Sequence, residues 1–386
     1  MFKFGRYYSD PRLRRTSPID SRILFVVVAL VMAGVIAVYA TTLDRGASFL
    51  RLHAVRVLLG ATAMTAAALL NHTVFSRRLR WILLIVAAGL LVLTRLVGLA
   101  CGVARRDLEV LFVSFQPAEF AKYALILWLA GYFADLVVEG KEPNFRNTVA
   151  KPGLIVLGMV LLTLVQPSIG TSVIMVGSCL VLFFLAGVRV RFLLPVTLVM
   201  IVLVAGVIRF QPYANRRWKN FVNGNRYHQQ QSLIAIGSGG LFGMGLGEGR
   251  QKRLFLPKMH NDFIFASVGE EAGFVGSVAV FLFYALLLIR GMRVSQEASE
   301  IFSQLLAAGI TVMLFMYALV HVAVTLGLVP TTGQPLPFIS YGGSALIANM
   351  AAAGVLLNIS LFRRIRTYPA DPFRGWRATN RFGGTR

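Results

Sequence analysis

Long apolar runs and short polar breaks alternate along almost the whole chain. From Ile23 onward, stretches of roughly twenty residues carry little or no charge and are separated by mostly basic breaks. An α-helix rises ~1.5 Å per residue, so a run of that length crosses the ~30 Å hydrocarbon core of a bilayer. The runs occupy 23–42, 54–70, 81–100, 117–138, 152–166, 171–188, 192–208, 263–289, 303–326 and 344–362. They predict an all-α integral membrane protein of about ten transmembrane helices with one large extracytoplasmic loop, 209–261. Gly170, Gly177 and Gly187 make the sixth run the weakest helix, short or broken. One polytopic domain, 23–362, is expected, with a basic N-terminal segment, 1–22, and a basic tail, 363–386. The leader resembles a signal peptide, but its apolar run is too long and further spans follow, so it reads as a retained helix.

Composition narrows the class. Hydrophobic residues make up 56% of the 386 and charged residues 14%, with mean hydropathy +0.70. A soluble domain of this length could not bury so much apolar surface. The net charge of +23 could suggest nucleic acid, but most Lys and Arg flank the apolar runs, as membrane orientation requires. Nucleic acid is therefore not an expected partner; the lipid bilayer is. Cys101 and Cys179 form no disulfide framework and lack metal-ligand spacing.

Charge also predicts orientation. Lys3, Arg6, Arg12, Arg14, Arg15 and Arg22 place the N-terminus in the cytoplasm. Alternation then puts Arg77, Arg78, Arg80, Arg189, Arg191, Arg290, Arg293 and the tail on the same side, so both termini are cytoplasmic. The 209–261 loop breaks the pattern, carrying Arg209, Arg216, Arg217, Lys219, Arg226, Arg250, Lys252, Arg253 and Lys258 against Glu248 alone. Long loops can be translocated despite such charge. The loop nevertheless asks for an anionic partner. Lipid headgroups are one reading; phosphate or pyrophosphate held by charge-assisted hydrogen bonds is the other. Its glycine-rich stretch 237–249 would let backbone amides approach such a ligand, although no nucleotide-binding fingerprint surrounds it.

On this topology the unusual polar residues collect at the outer face. Glu119 and Lys122 share a helix face just after Gln116-Pro117. Gln166-Pro-Ser-Ile-Gly-Thr171 ends the fifth helix, Asp262 begins the eighth, and the segment 330–344 joins the last two. Ionisable groups in a membrane are costly and point to function. Blander readings stand beside each. Glu119 and Lys122 could neutralise each other and lock helix packing. Asp262 could be an N-cap, a position where the helix dipole stabilises the carboxylate and weakens it as a base. His260 reads as a loop residue, with no second ligand at metal spacing. His321 reads as hydrogen-bonded packing, and Arg95 can snorkel to the interface. The proline-rich 330–344 segment reads as a rigid re-entrant turn lining a cavity.

Taken together, the motifs resemble those of the SEDS family, the RodA, FtsW and SpoVE proteins of bacterial cell-wall assembly. The matching pieces are Ser114-Phe-Gln-Pro-Ala-Glu-Phe-Ala-Lys122, Gln166-Pro-Ser-Ile-Gly-Thr-Ser172, Gln231-Ser-Leu-Ile-Ala-Ile-Gly-Ser-Gly-Gly240, Leu256 through Phe265 with Gly269-Glu-Glu271, Pro337-Phe-Ile-Ser-Tyr-Gly-Gly-Ser344 and Gly354-Val-Leu-Leu-Asn-Ile-Ser360. They run in family order from about residue 105 to 362. The Gly-Glu-Gly-Arg-Gln-Lys and His-Asn-Asp stretches look closer to FtsW or SpoVE than to RodA.

The resemblance implies a peptidoglycan glycosyltransferase of the bacterial cytoplasmic membrane that polymerises lipid II at the outer face, for division or cell shape. It implies release of undecaprenyl pyrophosphate, pairing with a class B penicillin-binding protein transpeptidase, and insensitivity to moenomycin. By position, Asp262 matches the family's essential acidic residue, and Glu119 and Lys122 its polar pair in the fourth helix. Three positions depart: Ser168 replaces the usual Asp, His321 replaces the usual Asn, and the large loop is short between Phe221 and Gln231.

The reaction expected is attack of an acceptor hydroxyl on the anomeric carbon of a lipid-linked donor, with Asp262 as base and Glu119 and Lys122 as support. Arg216, Arg217, Arg250, Lys252, Arg253 and Lys258, with Ser340 and Gly342, would hold substrate. No metal ligands are assigned; a divalent cation beside the pyrophosphate is left open. Two rivals remain: a flippase for the same lipid, disfavoured because no inverted repeat is visible, and a non-catalytic division scaffold.

Overall fold

The computed structural model describes residues 18–362 except 43–46, 71–73, 76, 101–107, 111–112, 141–143, 167, 225 and 250–258. Its membrane helices are α1 (Ser21–Thr42), α2 (Ala47–Leu69), α3 (Arg77–Ala100), α4 (Pro117–Val138), α5 (Lys151–Val165), α6 (Ile169–Leu185) and α7 (Val190–Phe210). Two shorter helices follow, α8 (Pro212–Val222) and α9 (Tyr227–Ser238), and then α10 (Ile264–Glu297), α11 (Ile301–Thr325) and α12 (Gly343–Ser360). Among the described residues, 9 helices are long and apolar enough to span a bilayer, and α6 is a shorter apolar helix of 17 residues. That matches the ten expected runs, including the short sixth. The sequence reading missed α8 and α9, which at 11 and 12 residues lack the long apolar run that marks a span. An antiparallel two-stranded hairpin, Leu108–Val110 with Val113–Phe115, is a minor addition to the helical fold.

α11 and α12 occupy the centre and α7 the rim. Small residues let the central helices approach backbone to backbone, the usual route to close packing where lipid supplies no hydrophobic drive. A Cβ on Gly354 would lie 2.2 Å from the Met64 carbonyl of α2, and Asn358 Nδ2 donates to the Ala68 carbonyl at 2.7 Å. Gly309 instead makes room for the Ile126 side chain of α4, which a Cβ there would meet at 2.5 Å.

Polar links sort the bundle into two ends. At one, Arg80 crosses Gly131 and makes a two-pronged ion pair with Asp135 (3.0 and 2.9 Å), while Arg77 reaches Glu139 at 2.7 Å. Asp20 at the same end accepts the Arg22 and Ile23 amides, capping α1. Its other carboxylate oxygen takes Arg290 of α10 at 2.5 Å, and its amide donates to Ser360 of α12. Among the described residues, Glu119, Gln166, Arg217, Asp262 and the 330–344 segment lie toward the other end, here called the Asp262 end.

The glycine-rich stretch does something the sequence reading did not foresee. Gly273 inside α10 adopts φ 68°, ψ −164° and breaks the helix. The freed Glu270 and Glu271 carbonyls accept the Met244 and Gly245 amides at 3.0 and 3.2 Å. In return the Phe274 and Val275 amides donate to the Gly240 and Leu241 carbonyls at 2.9 and 3.1 Å. With Gly243 N–H on the Gly239 carbonyl, amides expected to face a ligand instead close a backbone clasp around the broken helix. A Cβ on Gly243 would stand 2.1 Å from the Glu271 carbonyl at φ +86°, whereas Gly240, at φ +55°, faces open space. Gly243→Ala is therefore expected to cost roughly 2–4 kcal/mol, combining left-handed strain and overpacking, against ~1–2 kcal/mol for Gly240→Ala. Thermal melts of the two purified variants check the ranking.

Candidate active site at one end of the bundle

Asp262 ends a short helical turn, Met259–Asp262, and is half-buried. The N-cap position of α10 belongs to Phe263, φ −133° and ψ 27°, so Asp262 is not the cap of that helix. Its Oδ1 instead accepts Asn261 Nδ2 at 3.1 Å. The turn is held by Ser340, whose hydroxyl donates to the Asn261 carbonyl at 2.8 Å and accepts the Leu336 amide at 2.8 Å. Ser340 is itself buried, so its visible role is to tie the 336–340 turn to the aspartate-bearing one.

That turn is heavily determined. Phe338, at φ 68°, is the one non-glycine residue with positive φ among those described. Such a conformation persists only where its surroundings enforce it. The Tyr284 hydroxyl donates to the Pro337 carbonyl, Ile339 and Ser340 amides return to Leu336, and α1 comes so close that a Cβ on Gly34 would sit 2.7 Å from the Phe338 oxygen. Ser340→Ala removes both hydroxyl bonds and leaves the Leu336 amide without that acceptor, an expected loss of about 1–3 kcal/mol. Turnover of this variant is expected to fall more than its substrate affinity, because what moves is the carboxylate.

The preceding stretch, 331–336, crosses the mouth of the site as neither helix nor strand, with Gly333 at φ 68°. Arg217 of α8 donates to the Thr331 carbonyl at 2.9 Å. A Cβ placed on Gly333 would lie 3.8 Å from both Arg217 Nη2 and Asp262 Oδ2, so one methyl-sized position touches guanidinium and carboxylate together. Gln334 strengthens the strap. Its side-chain oxygen accepts the Thr171 hydroxyl at 3.1 Å, and its carbonyl lies 2.9 Å from His321 Nδ1. His321 is buried packing, as expected. The 330–344 segment is thus a rigid, sheltered connection.

Below it, Glu119 Oε2 and Lys122 Nζ meet at 2.6 Å, and both side chains are completely buried. Pro117 at the first turn of α4 starts the helix and Glu119 lies in that turn, where the dipole favours an anion. Lys122 Nζ also lies 3.7 Å from the Tyr317 ring centroid, a cation–π contact. Neighbouring bonds join α4 to α12: Gln116 N–H to Ser344 Oγ at 3.2 Å and Tyr123 OH to Asn349 Oδ1 at 2.7 Å. The pair lies beneath the site rather than on its surface.

Sequence reasoning missed a cluster beside it. Arg56 of α2 is buried with Nη1 on the Tyr341 carbonyl at 3.1 Å and its guanidinium 4.4 Å from the Tyr341 ring. Phe49 stacks on the same ring at 4.3 Å. Burial raises the Tyr341 phenol above its usual range, with Arg56 opposing, so the ring is neutral at physiological pH. The signal available was an arginine near the start of the apolar run 54–70.

Of the expected substrate-binding residues, Arg250, Lys252, Arg253 and Lys258 lie outside the described residues. Arg216 occupies the exposed face of α8, its Nε on the Pro212 carbonyl at 3.4 Å, while Arg217 turns to the site. Gly342 precedes α12, where a Cβ would press on Pro335 at 3.2 Å. Two apolar cavities flank the site. One, about 730 Å³, runs along Val176, Met200, Val204 and Ile208 to a mouth bearing Arg209, Trp218 and Lys219. The other, about 420 Å³, lies between α2, α3, α4 and α12. Among the described residues no three His, Cys, Asp or Glu side chains converge to hold a metal ion.

Known proteins resemble this arrangement over nearly its full length. A family model described as cell cycle protein, spanning FtsW, RodA and SpoVE, matches residues 20–365. Stage V sporulation protein E of Bacillus subtilis is 34% identical over 371 residues, 91% of this chain and 99% of the relative. A probable peptidoglycan glycosyltransferase FtsW of Trichlorobacter lovleyi is 35% identical over 364 residues, 90% of this chain and 94% of the relative. Among solved structures, a chain from a peptidoglycan synthase complex described as coordinating polymerization and crosslinking superimposes with TM-score 0.74 at 28% identity, covering 89% of this chain and 98% of that one. The rod shape determining protein RodA of Thermus thermophilus gives TM-score 0.69 at 28% identity, covering 91% and 100%. Sequence motifs, ten-helix architecture and these matches agree: the chain is a multi-pass bacterial membrane protein that belongs to the FtsW, RodA and SpoVE family.

Proposed function

We propose that this chain is a peptidoglycan glycosyltransferase that polymerises lipid II, with the Asp262 end at the outer face of the cytoplasmic membrane. The observation that carries the reading is the half-buried Asp262 carboxylate sharing one small space with the Arg217 guanidinium beside Gly333. In the proposed step an acceptor hydroxyl oxygen bonds to the anomeric carbon of the donor. The bond from that carbon to the pyrophosphate oxygen breaks, and undecaprenyl pyrophosphate leaves. Asp262 takes the hydroxyl proton. Arg217 stabilises charge growing on the pyrophosphate, which its planar fork of donors suits. The apolar cavities accept polyprenyl chains, the one with Arg209 and Lys219 at its mouth being suited to an anionic headgroup above an apolar tail.

Glu119 and Lys122, being fully buried, support the site through α4 and α11 rather than by touching substrate. A class B penicillin-binding protein is the proposed partner, in keeping with the polymerising and crosslinking complex among the structural relatives. The test is purified full-length chain in proteoliposomes with lipid II. Glycan strands are expected, and moenomycin is expected not to suppress them. Lipid II crossing the bilayer without any polymer would assign a flippase instead.

A further inference from the structure

We infer that the tip of the glycine clasp, residues 241–246, dips into the bilayer leaflet on the Asp262 side and is covered there by lipid acyl chains. Leu241, Phe242 and Leu246 are 65%, 81% and 67% exposed, a clustered apolar surface that water alone would not favour. It continues the exposed stripe of α10, where Phe274, Val278, Leu282 and Ile289 recur along one face. In a membrane helix such a stripe faces lipid.

Depth is set by the helix itself. Arg290, paired with Asp20 at the start of α1, marks the opposite end of the bundle. At ~1.5 Å per residue, Phe274 lies roughly 24 Å from Arg290, within a ~30 Å hydrocarbon core. The clasp bonds from the Phe274 and Val275 amides to Gly240 and Leu241 hold the tip at that level. Non-helical backbone at such depth is tolerated only when its polar groups are satisfied within the protein. The Gly243, Met244 and Gly245 amides meet this requirement, each donating to a carbonyl of the clasp or of α10. The clasp thereby fixes the height of α9 and of the start of α10 relative to the membrane.

The test uses full-length chain with Cys101→Ser and Cys179→Ala, reconstituted in phosphatidylcholine–phosphatidylglycerol nanodiscs without partner proteins. Single cysteines at Phe242 and, as a water-exposed reference, Asn223 carry a nitroxide. Collisions with oxygen are expected to exceed those with a water-soluble nickel chelate at 242 and the reverse at 223. A membrane-impermeant maleimide is expected to react at least tenfold more slowly at 242. Because a cysteine could loosen the clasp, Phe242→Trp provides a second measurement: brominated acyl chains are expected to quench the added fluorescence. Equal maleimide rates with nickel-dominated collisions, and no added quenching, would overturn the inference. Water exposure in nanodiscs that disappears only in a protein complex would reassign the patch to a protein partner and equally overturn it.

Discussion

Asp262→Asn is expected to leave the protein folded and inserted while lowering lipid II polymerisation by roughly 10²–10⁴-fold, the usual scale for loss of a general base. The substitution is nearly isosteric. Asn can still accept the Asn261 side-chain hydrogen bond, so the turn held by Ser340 has no reason to open. Since Phe263, not Asp262, occupies the N-cap of α10, no helix cap is lost with the charge. That separates chemistry from structure more cleanly than the sequence permitted. Polymer yield per folded protein, with the melting temperature measured alongside, checks it. Near-parental activity in a variant with an unchanged melt would remove Asp262 from the chemistry.

Lys122→Met is expected to be the most destabilising single change considered, by about 3–5 kcal/mol, because it strands the Glu119 carboxylate in a sealed interior. A charge swap keeps one charge of each sign. The structure argues against it: Glu at 122 would face its carboxylate onto the Tyr317 ring, where the ammonium now lies 3.7 Å from the centroid. The ring face is electronegative, so the swapped pair loses the cation–π contact and meets repulsion. The better double variant is Glu119→Gln with Lys122→Met, which removes both charges at similar volume. Replacement of a buried pair in this way is often close to neutral. It is expected to regain most of the lost stability, and polymerisation is expected to return with the fold. A double variant that folds normally yet makes no polymer would place the charge of Lys122 in the reaction itself.

How much of this was readable in advance divides by the kind of physics involved. The apolar runs marked all ten membrane helices, even the short α6, because the length of a spanning segment answers to bilayer thickness and to nothing elsewhere in the chain. The positions of Asp262, Glu119 and Lys122 were equally legible, since ionisable residues stand out against an apolar background. The pairing of Glu119 with Lys122 followed from their helical spacing. α8 and α9 were not legible: helices of 11 and 12 residues lack the long apolar run that identifies a span.

Tertiary structure decided everything that depended on distant segments meeting. Arg216 and Arg217 are indistinguishable in sequence, yet only Arg217 is directed to Thr331 and Gly333, because the packing of α8 chooses which face turns inward. The glycine-rich stretch 237–249 suggested backbone amides open to a ligand, and packing against a broken α10 made residues 239–245 a clasp. Arg56 meets Tyr341 only because α2 carries it there. The sequence by itself determined which segments cross the membrane and which residue types could do chemistry, because hydrophobic length and charge are local properties. Which of those residues face one another was left to packing, because a contact such as Ser340 with Asn261 exists only when separate helices fix both backbones at hydrogen-bonding distance.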